Sequence, residues 1–134
     1  MPDPIPGEYL IIENVKIIVV DDDILLRKLT VTALSYCVNR KVVSFSGGRQ
    51  AWEFIKTTGD VDIVISEAEM PDMSGFDLMA KVRERYPETI FIIMSGVAGH
   101  EDRSRKEGAT AFLAKPFEIN DLFNIVQYFV VDHS

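Results

Sequence analysis

The sequence predicts an α/β fold, a five-stranded doubly wound parallel sheet with five helices. Three observations predict it. The apolar strands are near-continuous β-branched runs, such as Ile17-Ile18-Val19-Val20 and Ile63-Val64-Ile65, as expected where both faces of a sheet are covered. These runs alternate with segments of helical periodicity, which calls for right-handed crossovers and helices on both faces. Carboxylates, a hydroxyl and a lysine stand at the ends of the strands, where an open α/β sheet gathers its chemistry.

The segment from Met1 to Asn14 has three prolines and a glycine in its first seven residues and begins irregular. Within it, Glu8 to Glu13 (EYLIIE) reads as a tail over surface hydrophobics, a small extra strand or a flap. Lys16 to Val20 is the first strand and ends in Asp21-Asp22-Asp23. A helix to about Val38 follows, with Leu26, Leu29, Ala33 and Cys37 on one face. Val42 to Phe45 is the second strand. Gly47-Gly48 opens a helix carrying Ala51, Trp52 and Ile55 and closing near Gly59. The third strand holds Ile63 to Ile65. A helix from Gly75 to about Tyr86 is stopped by Pro87. Ile90 to Met94 is the fourth strand, ending at Ser95-Gly96, and the polar helix Glu101 to Glu107 terminates at Gly108. Ala111 to Ala114 is a short fifth strand leading into Lys115-Pro116, and Glu118 to about Val131 is the last helix. The expected organisation is an N-terminal extension over 1–14, one domain over 15–131 and a tail over 132–134.

Composition narrows the function classes. A length of 134 residues fits one domain, and 47% hydrophobic with 26% charged residues is ordinary for a globular chain. The formal charge of −7 argues against nucleic-acid binding, which relies on Lys and Arg neutralising phosphates. No apolar run approaches the roughly 20 residues that span a bilayer, and no signal peptide is evident. The lone Cys37 cannot form an internal disulfide and fits a reducing compartment, so a cytoplasmic location is expected.

The stretch Val61 to Asp77 (VDIVISEAEMPDMSGFD) organises the chemistry: a buried strand, then Glu67 and Glu69, then turn formers, then a helix. Strand one delivers Asp21 and Asp22 to the same sheet edge, strand four Ser95 and strand five Lys115. Clustered carboxylates repel and call for a compensating cation, typically Mg²⁺. A hydroxyl and an ammonium beside them suit a phosphoryl group. Together they read as acyl-phosphate chemistry on a carboxylate nucleophile.

On these pieces (KIIVVDDD, VDIVISEAEMPDMSGFDLMAKVR, IFIIMSG and EGATAFLAKPF, in order from Lys16 to about Val131) the chain resembles the receiver domains of bacterial two-component response regulators, the CheY-like family. The resemblance implies a flavodoxin-like receiver fold, a histidine kinase or other signalling protein as partner, and Mg²⁺. It places the metal-binding acids on Asp21 and Asp22, with Glu67 and the Glu69 backbone carbonyl completing the set. It places the switch hydroxyl on Ser95, the lysine on Lys115, an aromatic switch on Phe112, and a cis bond at Pro116. The phosphoacceptor position falls on Glu67, where the family has aspartate. The extra methylene moves the carboxylate by about 1.5 Å, and a misplacement of about 1 Å can cost roughly 100-fold in rate. A degenerate or phosphomimetic module is therefore expected, with Glu67 contacting Ser95 and Lys115.

Other readings attach to single residues. Asp23 is expected to cap the first helix and Ser74 the third. The Glu69 side chain either covers the site or draws a water to it. Phe112 reads equally as a core aromatic, and Trp52 and Cys37 as packing residues. His100 and His133 show no partner pattern. Apolar residues of the last helix (Phe123, Ile125, Val126, Phe129, Val130, Val131) exceed one stripe, which suggests either a contact face with the fifth strand, for a partner or a homodimer, or a surface lying under Tyr9 to Ile12. Two enzyme-like or carrier-like alternatives compete. A haloacid-dehalogenase-like phosphatase would use the Asp21-x-Asp23 spacing. A flavin carrier would need a Ser/Thr/Gly-rich loop where three acids stand. A conventional receiver phosphorylated on Glu67 is the third alternative.

Overall fold

A computed structural model of the chain describes residues 16–36, 42–59 and 61–131, apart from the side chains of Val130 and Val131. The expectations placed on Glu8 to Glu13, on Cys37 and on His133 lie outside the described residues.

Strand β1 (Ile17–Val20) is buried at all four positions. It pairs in parallel with β2 (Val43–Phe45) on one side and β3 (Ile63–Glu67) on the other. Beyond β3 lie β4 (Ile90–Ser95) and β5 (Ala111–Ala114), giving the order β2-β1-β3-β4-β5, all parallel. The chain leaves β1 towards β2 and then crosses back to β3. The winding reverses between β1 and β3, which opens a crevice at their carboxyl ends. Asp21 and Glu67 are the residues that arrive there.

Alternation along each strand divides the interior in two. Ile17, Val19, Ile63, Ile65 and Ile92 face α1 (Ile24–Leu34) and α5 (Ile119–Val126). Ile18, Val20, Val64, Phe91 and Ile93 face α2 (Gly48–Thr58) and α3 (Gly75–Arg85). The remaining helix, α4 (His100–Glu107), returns the chain from β4 to β5. The predicted fold class is the observed one.

Two helices differ from expectation in detail. Helix α1 ends at Leu34, capped at Ser35, and its buried residues are Thr30, Ala33 and Leu34. Of the predicted face, Ala33 is buried and Leu26 partly so, but Leu29 is about half exposed, and Ile24 and Leu25 are exposed beyond it. Thr30 can take a core position because its hydroxyl donates to the Leu26 carbonyl at 2.8 Å, which satisfies its polar atom within the helix. The last helix begins with Glu118 and Asp121 forming a reciprocal capping box, and after Val126 it widens into a π-turn over Gln127–Val131. Its Phe123 and Val126 are buried against the sheet, so they belong to the core and not to the expected contact face.

Candidate functional site

Asp21 leaves β1 fully buried. Its Oδ1 accepts from the Asp23 backbone N–H at 2.9 Å, and Asp23 in turn caps α1 by accepting from the Leu25 and Leu26 N–H groups. The backbone carbonyl of Asp21 accepts from the Arg27 guanidinium at 2.8 Å. Asp22 points elsewhere. It is exposed and lines a shallow cleft with Ser46, Gly47, Arg49 and Asp72. It sits at the bend that follows the strand, and among the described residues it joins Asp21 and Glu67 in no three-acid cluster.

Glu67 ends β3, where the chain turns sharply into α3. Gly75 permits that turn: a Cβ on it would stand 2.3 Å from the Glu67 carbonyl oxygen and 3.0 Å from Ser66 Oγ. Ser74 caps α3 by accepting from the Asp77 N–H at 3.0 Å. Asp72, in the same loop, accepts from the Gly48 and Arg49 N–H groups at 3.2 and 3.1 Å. That carboxylate caps the amino end of α2, whose own cap residue, Gly47, has no side chain to offer.

The Glu67 carboxylate is held on both oxygens. Oε2 accepts from the Ala68 N–H at 2.9 Å and lies 3.5 Å from the Glu69 N. Oε1 is paired with the Lys115 ammonium, which also reaches Asp21 Oδ2 at 3.3 Å. Lys115 follows β5, where its backbone N–H donates to the Ser95 carbonyl at 2.9 Å, and the Lys115–Pro116 peptide bond is cis. Burial works against the lysine's charge, but its bonds to Glu67 and Asp21 outweigh that and hold its pKa above 10.5. Burial pushes the Asp21 carboxyl above its ordinary 3.8, against the Asp23 N–H and Lys115, which pull it down.

Ser95, buried at the end of β4, was expected to meet Glu67. It does not. Its hydroxyl lies 2.8 Å from His100 Nδ1 and accepts from the Val97 N–H at 3.0 Å. His100 opens α4 and is itself buried, edge-on to Phe76 with ring centroids 5.6 Å apart. Its Nε2 lies 3.5 Å from Glu69 Oε2, so the Glu69 side chain turns towards His100. His100, for which the sequence showed no partner pattern, thus has a neighbour at each ring nitrogen. The usable signal was the short Gly96–Gly99 loop, which must bring position 100 back to the strand end it leaves. Gly99, at φ 91°, makes that return in the left-handed region. Phe112 is partly buried on β5 beside a cavity of about 210 Å³ lined by Glu101, Ser104, Arg105 and Thr110.

The acids as placed do not fit a divalent cation. Asp22 stands apart, Lys115 occupies the space between Asp21 and Glu67, and among the described residues no three His, Cys, Asp or Glu side chains converge at metal-ligand spacing. Charge compensation here is supplied by an ammonium.

The family model for the response regulator receiver domain matches residues 17–127. The chain belongs to this family. This receiver is 31% identical over 106 residues to the chemotaxis protein CheY1 of Helicobacter pylori, covering 76% of the chain and 86% of the relative. It is 30% identical to the two-component response regulator ARR3 of Arabidopsis thaliana, over 90% of the chain and 58% of that longer protein. Among solved structures, the signal receiver domain of the putative response regulator NarL from Mycobacterium tuberculosis superposes with a TM-score of 0.77 at 28% identity, over 89% of this chain and 98% of that one. Vibrio cholerae CheY4 superposes at 0.76 and 28% identity, over 87% and 98%. Receivers act as signalling modules, and among the described residues of this one no helix is long and apolar enough to cross a membrane.

Proposed function

We propose that this receiver is a phosphomimetic or degenerate module, with Glu67 in the acceptor position acting as a resident negative charge. The observation that carries this reading is the pairing of Glu67 with Lys115. A carboxylate supplies one charge and two oxygens where a phosphoryl group brings roughly two charges and three oxygens. The mimicry is therefore partial: the lysine arm of the site is engaged and the Ser95 arm is turned towards His100. Mg²⁺ at Asp21, Asp22, Glu67 and the Glu69 carbonyl would have to displace Lys115, so binding is weak in this reading.

The module passes its signal through protein contacts, with a histidine kinase or another signalling protein as partner, in the cytoplasm, and without catalytic turnover. A contact face on the last helix and fifth strand, open to a second copy, rests on the exposed Ile119 and Tyr128 and the half-covered Phe112.

Acetyl phosphate with intact-mass detection tests the reading of position 67. The native protein should gain no phosphoryl mass, and Glu67→Asp should gain one. Acyl phosphate on native Glu67 would make this an ordinary receiver with a longer acceptor. No phosphoryl on either protein would leave a scaffold of receiver shape.

A further inference from the structure

The Ser95 hydroxyl has two hydrogen-bond partners. The Val97 N–H donates to Oγ at 3.0 Å, which leaves the hydroxyl hydrogen to account for. His100 Nδ1 is 2.8 Å away. Its role follows from the other ring nitrogen, because Nε2 lies 3.5 Å from the Glu69 carboxylate, and a carboxylate only accepts. In the neutral imidazole the ring hydrogen therefore sits on Nε2, and Nδ1 is the acceptor. In that tautomer the Ser95 hydroxyl donates its one hydrogen to His100 Nδ1.

The ring is not free to turn away. Phe76 stands edge-on to it, the Arg103 guanidinium covers Phe76 with its carbon 4.0 Å from the ring centroid, and the Gly96–Gly99 loop fixes the start of α4. The Glu69 carboxylate, from the β3–α3 loop, lies 3.5 Å from the far nitrogen. His100 thus takes the hydrogen that a phosphoryl oxygen at position 67 would need.

We infer that His100 is a positioning residue that keeps the Ser95 hydroxyl withdrawn from the Glu67–Lys115 pocket, so that a phosphoryl group there engages Ser95 only by breaking the Ser95–His100 bond. The functional half of this inference rests on the reading of position 67 as a phosphoryl site. The structural half does not.

Ring-nitrogen NMR on the native protein decides the structural half. The expected result is hydrogen on Nε2, with an Nδ1 resonance that shifts in Ser95→Ala. Hydrogen on Nδ1, or an Nδ1 resonance unmoved by Ser95→Ala, overturns the inference. The functional half is read in the Glu67→Asp background with acetyl phosphate. His100→Phe keeps a ring but no acceptor, and should raise the rate of phosphoryl gain about fivefold, the size of one net hydrogen bond. His100→Asn retains an oxygen acceptor near the Nδ1 position and should stay close to the Glu67→Asp rate. The gain from His100→Phe should vanish when Ser95→Ala is added, whereas a merely structural effect of the ring would persist. Equal rates with and without His100 overturn the positioning role. Failure of Glu67→Asp to take any phosphoryl group sinks the reading of position 67 instead, and the ring-nitrogen spectrum then decides by itself whether His100 holds the Ser95 hydroxyl.

Discussion

Lys115 joins two strand ends that carry like charge: its ammonium pairs with Glu67 and lies 3.3 Å from the buried carboxylate of Asp21. β1 and β3 are neighbours in the sheet, so their terminal acids are forced into proximity, and the lysine delivered by β5 makes that proximity tolerable. Lys115→Met should therefore cost about 3 kcal/mol in urea denaturation, the scale of a buried charge left without its partner. Adding Asp21→Asn should recover part of that loss. A Lys115→Met protein as stable as the native one would show that solvent compensates the pair.

The same groups set a pH dependence. Burial raises the Asp21 carboxyl above 3.8 in the folded state, so the folded protein binds more protons than the unfolded chain from 3.8 up to that raised value. Stability should fall as pH rises through this window. Subtracting the Asp21→Asn profile from the native one should isolate the fall from that of the other carboxylates. Lys115 acts at the opposite end. Its contribution is complete below 10.5 and is lost as pH rises through its raised folded value, and Lys115→Met should lack this alkaline step.

Competition between ammonium and divalent cation makes a third expectation. In a Mg²⁺ titration followed by amide shifts, the native protein should respond only weakly, because the ion must displace Lys115 from Asp21 and Glu67. Lys115→Met should bind Mg²⁺ at least about tenfold more tightly, since two carboxylates then face each other without a counter-charge. Equal affinity in the two proteins would place the ion elsewhere.

Gly75→Ala should be among the most damaging small substitutions. The new methyl group would meet backbone, the Glu67 carbonyl at 2.3 Å, and backbone cannot move aside as a flexible side chain can. A loss of about 2–3 kcal/mol is expected, with amide shifts centred on Ser66 to Glu69. Gly47→Ala should be milder, because its nearest neighbour is the end of the Asp72 side chain, at 2.8 Å.

The sequence by itself determined the sheet, because burial on both faces leaves a readable mark. Val19, Ile65 and Ile92 stand side by side in register, and each lies in an apolar run that only a covered parallel strand supports. It also determined which residue types arrive at the carboxyl edge, since strand ends are local features: Asp21, Glu67, Ser95 and Lys115 were all legible. The caps at Asp23 and Ser74 were legible for the same reason.

What the tertiary structure decided is which of these groups bond to one another. Hydrogen bonds are set by distances of a few tenths of an ångström across elements far apart in the chain, and periodicity has no access to them. So Lys115 could be placed at the site but not shown to reach both Asp21 and Glu67, and Asp22 could not be seen to turn outward. Ser95 shows the limit most clearly. The sequence placed it at the strand end beside Glu67, and the short loop through Gly99 brought His100 back to within 2.8 Å of its hydroxyl instead.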